Sequence, residues 1–191
     1  MKIVAVSGSV RPGNFTSKAL ALVADELTKQ KDVELELFDP RKMKLALPGL
    51  ETDDPVVKSL QRAAREATGI VLATPEYHGS YSSVIKMVIE NLGYPSGIAG
   101  KPIALLGVAA GRIGAIKALE HLRSVCSHVG GLVLPGVVSV AGVSQLFDAE
   151  GRCLDEETER RIRGLANHLV DYIQSSVCPK VCLEEMARAG T

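Results

Sequence analysis

Residues 5–20 read AVSGSVRPGNFTSKAL, and an apolar run ends within them just before a helical pattern begins. The run that leads in, residues 1–6, is rich in β-branched side chains and is typical of a strand buried on both faces. Small and polar residues follow, with Arg11 as the one charge among them, and then leucines recur at helical spacing from Leu20 to Leu27. A buried strand that passes through a polar loop into a helix indicates the first unit of an α/β sheet.

The same alternation continues along the chain. The pattern predicts five strands, at residues 2–7, 33–38, 69–74, 101–109 and 132–140. It predicts five helices, at residues 17–30, 54–67, 83–92, 114–129 and 155–176. Asp54 is the expected N-cap of the second helix, with Pro55 at its first position, and Pro135-Gly136 marks a bend or an edge in the last strand.

Several of these strands are continuous apolar runs, which favours a parallel sheet covered by helices on both faces. We therefore predict a doubly wound, flavodoxin-like three-layer α/β/α domain over residues 1–176. Its parallel sheet is expected to have five strands in the order 2-1-3-4-5. Residues 177–191 are expected to be a C-terminal tail that is either disordered or packed on a neighbour.

The composition excludes several classes of protein. The 191 residues carry 22 basic and 22 acidic side chains, so the net charge of zero gives no basic field for nucleic acid. No apolar run approaches a membrane span and no signal peptide opens the chain, so we expect a cytoplasmic protein without membrane insertion. The four cysteines lack zinc or iron–sulfur spacing, and we expect reduced thiols, with a disulfide or a metal contact of Cys178 and Cys182 as the alternative. No metal is predicted.

In such sheets ligands bind beyond the carboxyl ends of the strands, so the loops that follow strands are the candidates. The first, SGSVRPGNFTS, leads into a helix N-terminus, where free N–H groups and the helix dipole favour an anion. Its hydroxyls, its amide and Arg11 suit a phosphomonoester, and it matches neither GxGxxG nor the P-loop motif. The alternative is an elaborate strand–helix turn with Asn14 or Thr16 as the cap.

The second and third loops are candidates for contact with a flat ligand. In TPEYHGSYSS, Tyr77 and Tyr81 either face a planar ring or are packing residues. His78 is expected to be a hydrogen-bonded surface residue and not a catalytic base. In GVAAGRIGA the backbone is nearly bare, which suits the polar edge of a ring or simply a tight turn with positive φ. Arg112 is either solvated or the partner of an anion. A phosphate cradle beside two ring platforms describes FMN.

The chain resembles the flavodoxin-like NAD(P)H-dependent FMN reductases, a family that includes quinone, chromate and azo-dye reductases. GSVRPGNFTSKAL is similar to the family's phosphate loop, TPEYHGSYSSVIKMVIENL to its TPEYN segment, and GVAAGRIGAIKALEHLR to its third loop. His78 stands at the family's usual Asn, Ser82-Ser83 replaces a frequent Pro-Gly, and AAGR replaces a commoner Ser-Pro-Gly-Gly.

The resemblance implies three groups of cofactor-binding residues. Those implied for the FMN phosphate are Ser9, Arg11, Asn14, Phe15 and Thr16. Those implied along the isoalloxazine ring are Pro75, Glu76, Tyr77, His78 and Gly79. Those implied at its other polar edge are Ala109, Ala110, Gly111 and Arg112.

The implied function is an FMN-dependent oxidoreductase that passes hydride from NADPH or NADH to a small electron acceptor such as a quinone, an azo compound, chromate or free flavin. FMN carries the chemistry, so no protein side chain is named as catalytic. The resemblance also implies a homodimer or homotetramer, with helix 83–92 at the interface. Three alternatives stay open: a flavodoxin-like electron carrier, a phosphate-ester or nucleotide-binding domain without flavin, and a reductase that releases reduced flavin to an oxygenase.

Overall fold

The computed structural model describes residues 1–189 as alternating strands and helices. The strands are β1 (Lys2–Ser7), β2 (Glu34–Phe38), β3 (Gly69–Tyr77), β4 (Ser80–Tyr81), β5 (Pro102–Val108), β6 (Leu132–Val133) and β7 (Val138–Val140). The α-helices are α1 (Phe15–Thr28), α2 (Pro55–Glu66), α3 (Ser83–Glu90), α4 (Ile116–His128), α5 (Glu156–Tyr172) and α6 (Cys178–Ala189).

The sheet has the order that the sequence predicts but not the predicted number of strands. Its path is β2-β1-β3-β5-β6, which corresponds to 2-1-3-4-5 in the numbering of the predicted strands. The prediction of five strands is wrong, since the described part of the chain contains seven. The last predicted strand is divided at Pro135-Gly136 into β6 and β7, which both pair in parallel with β5. The extra strand, β4, folds back antiparallel on the end of β3.

Helices cover both faces of the sheet, as the apolar strands require. Side chains of α1 and α5 pack on one face, where Leu20 and Leu169 are buried. Side chains of α2, α3 and α4 pack on the other, where Leu60, Ile85 and Leu122 are buried. The three-layer, flavodoxin-like α/β/α architecture is therefore confirmed.

The helix boundaries follow local chemistry. The Asp54 carboxylate accepts from the backbone N–H groups of Val56 and Val57, and Pro55 occupies the first position of α2, as predicted. Helix α1 begins at Phe15, two residues before the predicted start, because Asn14 caps it. Helix α5 ends at Tyr172, and a π-helical turn over Ile173–Val177 connects it to α6.

The C-terminal residues are helical but exposed. Within α6 the side chains of Leu183 and Met186 are about two-thirds exposed. Residues 190 and 191 of the predicted tail lie outside the described residues, and the domain boundary at residue 176 stays a prediction. The four cysteines are unbridged, and burial raises the pKa of the Cys126 thiol to about 12. Within residues 1–189 no helix is both long and apolar enough to cross a membrane.

Candidate functional site

The loops after β1, β3 and β5 meet at the carboxyl edge of the sheet and enclose a cavity of about 400 Å³, here called the crevice. It lies where the strand order reverses, as expected for a ligand site in this class of sheet. The residues that line the crevice are Ser9, Arg11, Pro12, Gly13, Asn14, Phe15, Thr16, Pro75, Glu76, Tyr77, Val108, Ala109, Ala110 and Val143.

Asn14 fixes the shape of the first loop. Its side-chain oxygen accepts from the backbone N–H of Ser17 at 2.7 Å, and its side-chain nitrogen donates to the carbonyl of Arg11 at 2.7 Å. The sequence offered either Asn14 or Thr16 as the N-cap of this helix, and in the structure the N-cap is Asn14. Both polar atoms of its amide are engaged in holding the loop.

Two residues that carry hydroxyls in this loop are buried and line the crevice. Ser9 and Thr16 are 2% and 1% exposed. Ser9 Oγ accepts one long bond, 3.4 Å from the N–H of Arg11, and the Thr16 hydroxyl has no hydrogen bond to any residue of 1–189. The first turn of α1 holds no acidic residue, and its leading N–H groups lack intrahelical partners. Hydroxyls and free N–H groups at the positive end of a helix dipole are donors that favour an anion.

Arg11 spans the crevice from the first loop to the second. Its guanidinium carbon lies 5.0 Å from the centre of the Tyr77 ring, within the range of a cation–π contact. The one cation of the first loop is therefore exposed at the mouth of the crevice and held there by an aromatic face of the second loop.

The second loop is a tight hairpin, not an irregular loop. Tyr77 pairs with Ser80, and the two residues between them, His78 and Gly79, have φ values of +51° and +75°. Two consecutive positive φ angles match a type I′ turn, which fits the twist of the flanking strands. Pro75, Glu76 and Tyr77 line the crevice, whereas His78 and Gly79 form the turn and lie outside the lining set.

The Glu76 carboxylate is bound at the start of a helix. Its Oε2 accepts from the backbone N–H of Ala118 at 3.1 Å, in the first turn of α4. Helix α4 has no side-chain cap of its own, since Ala115 stands at the cap position. The only acid of the second loop therefore serves the helix terminus, where negative charge is stabilised.

The third loop is held by backbone bonds to the segment after β7. The N–H of Ala109 donates to the carbonyl of Val140 at 2.9 Å, and the carbonyl of Ala109 accepts from Val143 at 3.0 Å. These bonds bring Ala109, Ala110 and Val143 to the crevice. Gly111 and Arg112 are exposed on the tip of the loop and are not among the lining residues.

Ten of the fourteen sequence-predicted site residues line the crevice. His78, Gly79, Gly111 and Arg112 are not among the lining residues. Sequence reasoning missed the lining residues Pro12, Gly13, Val108 and Val143. Val143 follows Ala141-Gly142, a pair of small residues at the end of the last strand. Because that strand ends at the same edge of the sheet, this pair could have indicated that Val143 lies near the crevice.

Comparison with known proteins identifies what this chain is similar to. The chain matches the family described as NADPH-dependent FMN reductase over residues 1–145. It is 32% identical to an NAD(P)H-dependent FMN reductase of Pseudomonas aeruginosa, over 85% of this chain and 90% of that protein. It is 28% identical to an FMN-dependent NADPH-azoreductase of Staphylococcus aureus, over 92% and 97% of the two chains. Among solved structures it is similar to the flavoenzyme NAD(P)H:(acceptor) oxidoreductase FerB of Paracoccus denitrificans, with a TM-score of 0.73, 25% identity and coverage of 91% and 97%.

Proposed function

The chain belongs to the NADPH-dependent FMN reductase family, and we propose that the crevice holds the FMN on which its NAD(P)H oxidoreductase activity depends. The observation that carries the proposal is the pair of hydroxyl-bearing residues Ser9 and Thr16, which line the crevice at the start of α1 and retain hydrogen-bonding capacity toward it. A phosphate bound in the crevice would give both hydroxyls a charged acceptor.

The residues present fit both ends of FMN. At the phosphate end, the hydroxyls of Ser9 and Thr16 and the N–H groups that begin α1, including that of Phe15, would donate hydrogen bonds to the phosphate. Asn14 would keep the loop in shape, and Arg11 would supply a positive charge. At the ring end Pro75, Glu76 and Tyr77 would flank one side. Ala109 and Ala110 would approach from the third loop, where no large side chain blocks a flat ring.

When bound, FMN supplies two-electron transfer between a nicotinamide and an acceptor. The protein's residues bind and orient. Glu76 is engaged with the Ala118 N–H, and His78 stands on the turn outside the crevice, so neither is assigned a proton-transfer role. Arg11 stacks on Tyr77, so the cation assigned to the FMN phosphate is held between the first and second loops.

The proposed acceptor is a small planar molecule, such as an azo compound or a quinone. One relative is named an azoreductase and one structural neighbour an NAD(P)H:(acceptor) oxidoreductase. Membership of a reductase family does not favour the alternative of an electron carrier without pyridine-nucleotide activity.

We further propose a homodimer or homotetramer in the cytoplasm. A groove of about 1030 Å³ runs between the C-terminal parts of α3 and α4, and Tyr94 stands fully exposed beside it. Ser96 Oγ at this groove is buried without a hydrogen-bond partner among residues 1–189. A second copy of the chain that packs on α3 would cover Tyr94. The proposed cytoplasmic location is supported separately by the four cysteines, which form no disulfide and so fit a reducing compartment.

The visible spectrum of bound flavin tests the proposal. The protein is saturated with FMN, freed of excess, and treated anaerobically with NADPH and then with NADH. Retained FMN whose absorbance bleaches on addition of either nucleotide is the expected result. Retained FMN that stays oxidised with both would contradict the reductase activity, and no retained FMN would contradict the assignment of the crevice.

A further inference from the structure

Two of the four cysteines lie on one face of the exposed C-terminal helix. Cys178 begins α6 and Cys182 follows four residues later, and both residues are exposed and unbridged. The backbone of Cys178 is already helical, with φ −61° and ψ −45°, although a π-helical turn precedes it. The spacing of the pair is therefore that of an α-helix, in which side chains four residues apart are neighbours on the surface.

The helix holds these two thiols too far apart for a disulfide and close enough to share a larger atom. Cβ atoms at positions i and i+4 of a helix are about 5–6 Å apart, whereas those of a disulfide are about 3.5–4.5 Å apart. Metal–sulfur bonds of about 2.3 Å, the value for zinc, place two sulfurs on opposite sides of a metal about 4.6 Å apart. Each Sγ lies one bond beyond its Cβ, so rotation about χ1 can bring the pair to that separation while α6 stays intact.

The number of ligands decides the class of metal that fits. No group of three or more His, Cys, Asp or Glu side chains that could hold a metal ion lies within residues 1–189. A structural zinc ion takes four protein ligands, so a pair of thiols does not meet its requirement. Thiolates select soft cations, and among these Cu(I) accepts two sulfur ligands.

The other cysteines are not placed to compete for such an ion. Cys126 is 0% exposed, and Cys153 is half-buried with its thiol donating to the carbonyl of Asp155 at 3.4 Å. Within α6, Lys180 lies 3.8 Å from Glu184. Both partners of this ion pair are on the side of the helix opposite Cys178 and Cys182, so the pair leaves the face of the thiols open.

We propose that Cys178 and Cys182 bind one Cu(I) ion per chain as two thiolates on opposite sides of the metal. Each thiol loses its proton to water on binding, and no electron is transferred. The site is separate from the crevice, because Ile173, just before α6, packs against Gly69 at the start of β3, whereas the crevice lies at the other end of that strand. The proposal therefore goes beyond the reductase activity and does not depend on FMN.

Competition with bicinchoninate, a chelator whose Cu(I) complex is coloured, tests the proposal on the full chain under anaerobic conditions. We expect the reduced protein to withdraw one Cu(I) per chain, and Cys178→Ser or Cys182→Ser to bind it about a hundredfold more weakly. Cys153→Ser is the matched control and should bind as the wild type does. Equal binding by the wild type and Cys182→Ser would overturn the proposal. Half a Cu(I) per chain would also overturn it, since two chains would then share the metal.

A displaced thiol tests the geometry of the site. Cys182→Ser combined with Lys180→Cys keeps the number of thiols and moves one to the opposite side of α6. We expect this variant to bind Cu(I) as weakly as Cys182→Ser alone, with the helical content by circular dichroism unchanged. X-ray absorption at the copper edge of the wild type should show two sulfur neighbours. Wild-type affinity in the displaced variant, or more than two sulfur neighbours in the wild type, would overturn the two-thiolate site.

Discussion

His78 is a residue whose backbone explains its place in the sequence. It is the one non-glycine residue of the described chain with positive φ, and it occupies the first central position of the type I′ turn. Asn, Asp and His tolerate this left-handed conformation better than other side chains. The His of this chain therefore satisfies a backbone requirement of the hairpin, and it is not among the residues that line the crevice.

Substitution of His78 separates a role in the turn from a role in chemistry. We expect His78→Asn to change the free energy of unfolding by less than about 0.5 kcal/mol, because Asn is favoured in this turn. His78→Val should cost about 1–2 kcal/mol, because a β-branched residue is strained at positive φ. Urea denaturation of the FMN-free protein measures both. A valine variant as stable as the asparagine variant would show that the turn imposes no such strain.

Among the elements, the start of helix α3 joins the first two loops of the crevice. The Ser82 hydroxyl donates to the carbonyl of Gly8 at 2.5 Å and accepts from the N–H of Ile85 at 3.1 Å, so it caps α3 and fixes the first loop. Gly8 itself allows the close approach, since a Cβ there would lie 2.6 Å from the carbonyl oxygen of Ala73. Ser82 thus caps α3 and holds the first loop at the same time.

Removal of that hydroxyl should loosen both loops. Ser82→Ala is expected to lower the free energy of unfolding by about 1–2 kcal/mol, because α3 loses its cap and the Gly8 carbonyl loses its donor. FMN should also bind more weakly. Ser83→Ala, at the exposed neighbouring position, is the control and should change neither quantity. Equal effects of the two substitutions, by urea denaturation and FMN titration, would contradict this role for Ser82.

The sequence failed to predict one strand that is too short for a periodic pattern and one lining residue that is placed by a contact distant in the chain. The five main strands and five main helices follow from apolar periodicity, and the position of the crevice follows from their order. Strand β4 has two residues, which is too short for a period, and its turn carries His instead of the usual Asn. Val143 reaches the crevice only through the bond that its N–H donates to the Ala109 carbonyl, and no local pattern encodes that bond.

In the whole molecule, an ion cluster joins the two helices that cover one face of the sheet. Arg163 of α5 bonds to Asp25 of α1 and to Glu159 of its own helix, and it lies 3.4 Å from Glu26. The hydrogen bond from Arg163 is the main cause that holds the pKa of Asp25 below its usual range. For Glu26 the main cause of a lowered pKa is the hydrogen bond from Lys29.

These lowered pKa values predict how stability depends on pH. Unfolding restores the carboxyls to their ordinary pKa near about 4, so the unfolded chain binds protons more readily and stability falls as the pH falls through the folded pKa values. We expect the free energy of unfolding to drop between about pH 5 and pH 3, and to drop less in Arg163→Met, where Asp25 has lost its main partner. Urea denaturation across this range tests it, and an equal drop in both proteins would contradict the coupling.

The affinity for FMN is the measurement that decides whether the hydroxyls of Ser9 and Thr16 hold the phosphate. Quenching of FMN fluorescence is titrated for the wild type and for Thr16→Val, which keeps the shape of the side chain and removes its hydroxyl. Thr28→Val, at the far end of the same helix, is the control. We predict that Kd rises about tenfold or more in Thr16→Val alone, because a hydrogen bond to a charged phosphate is lost. An unchanged Kd in Thr16→Val would contradict the placement of the FMN phosphate at the start of α1.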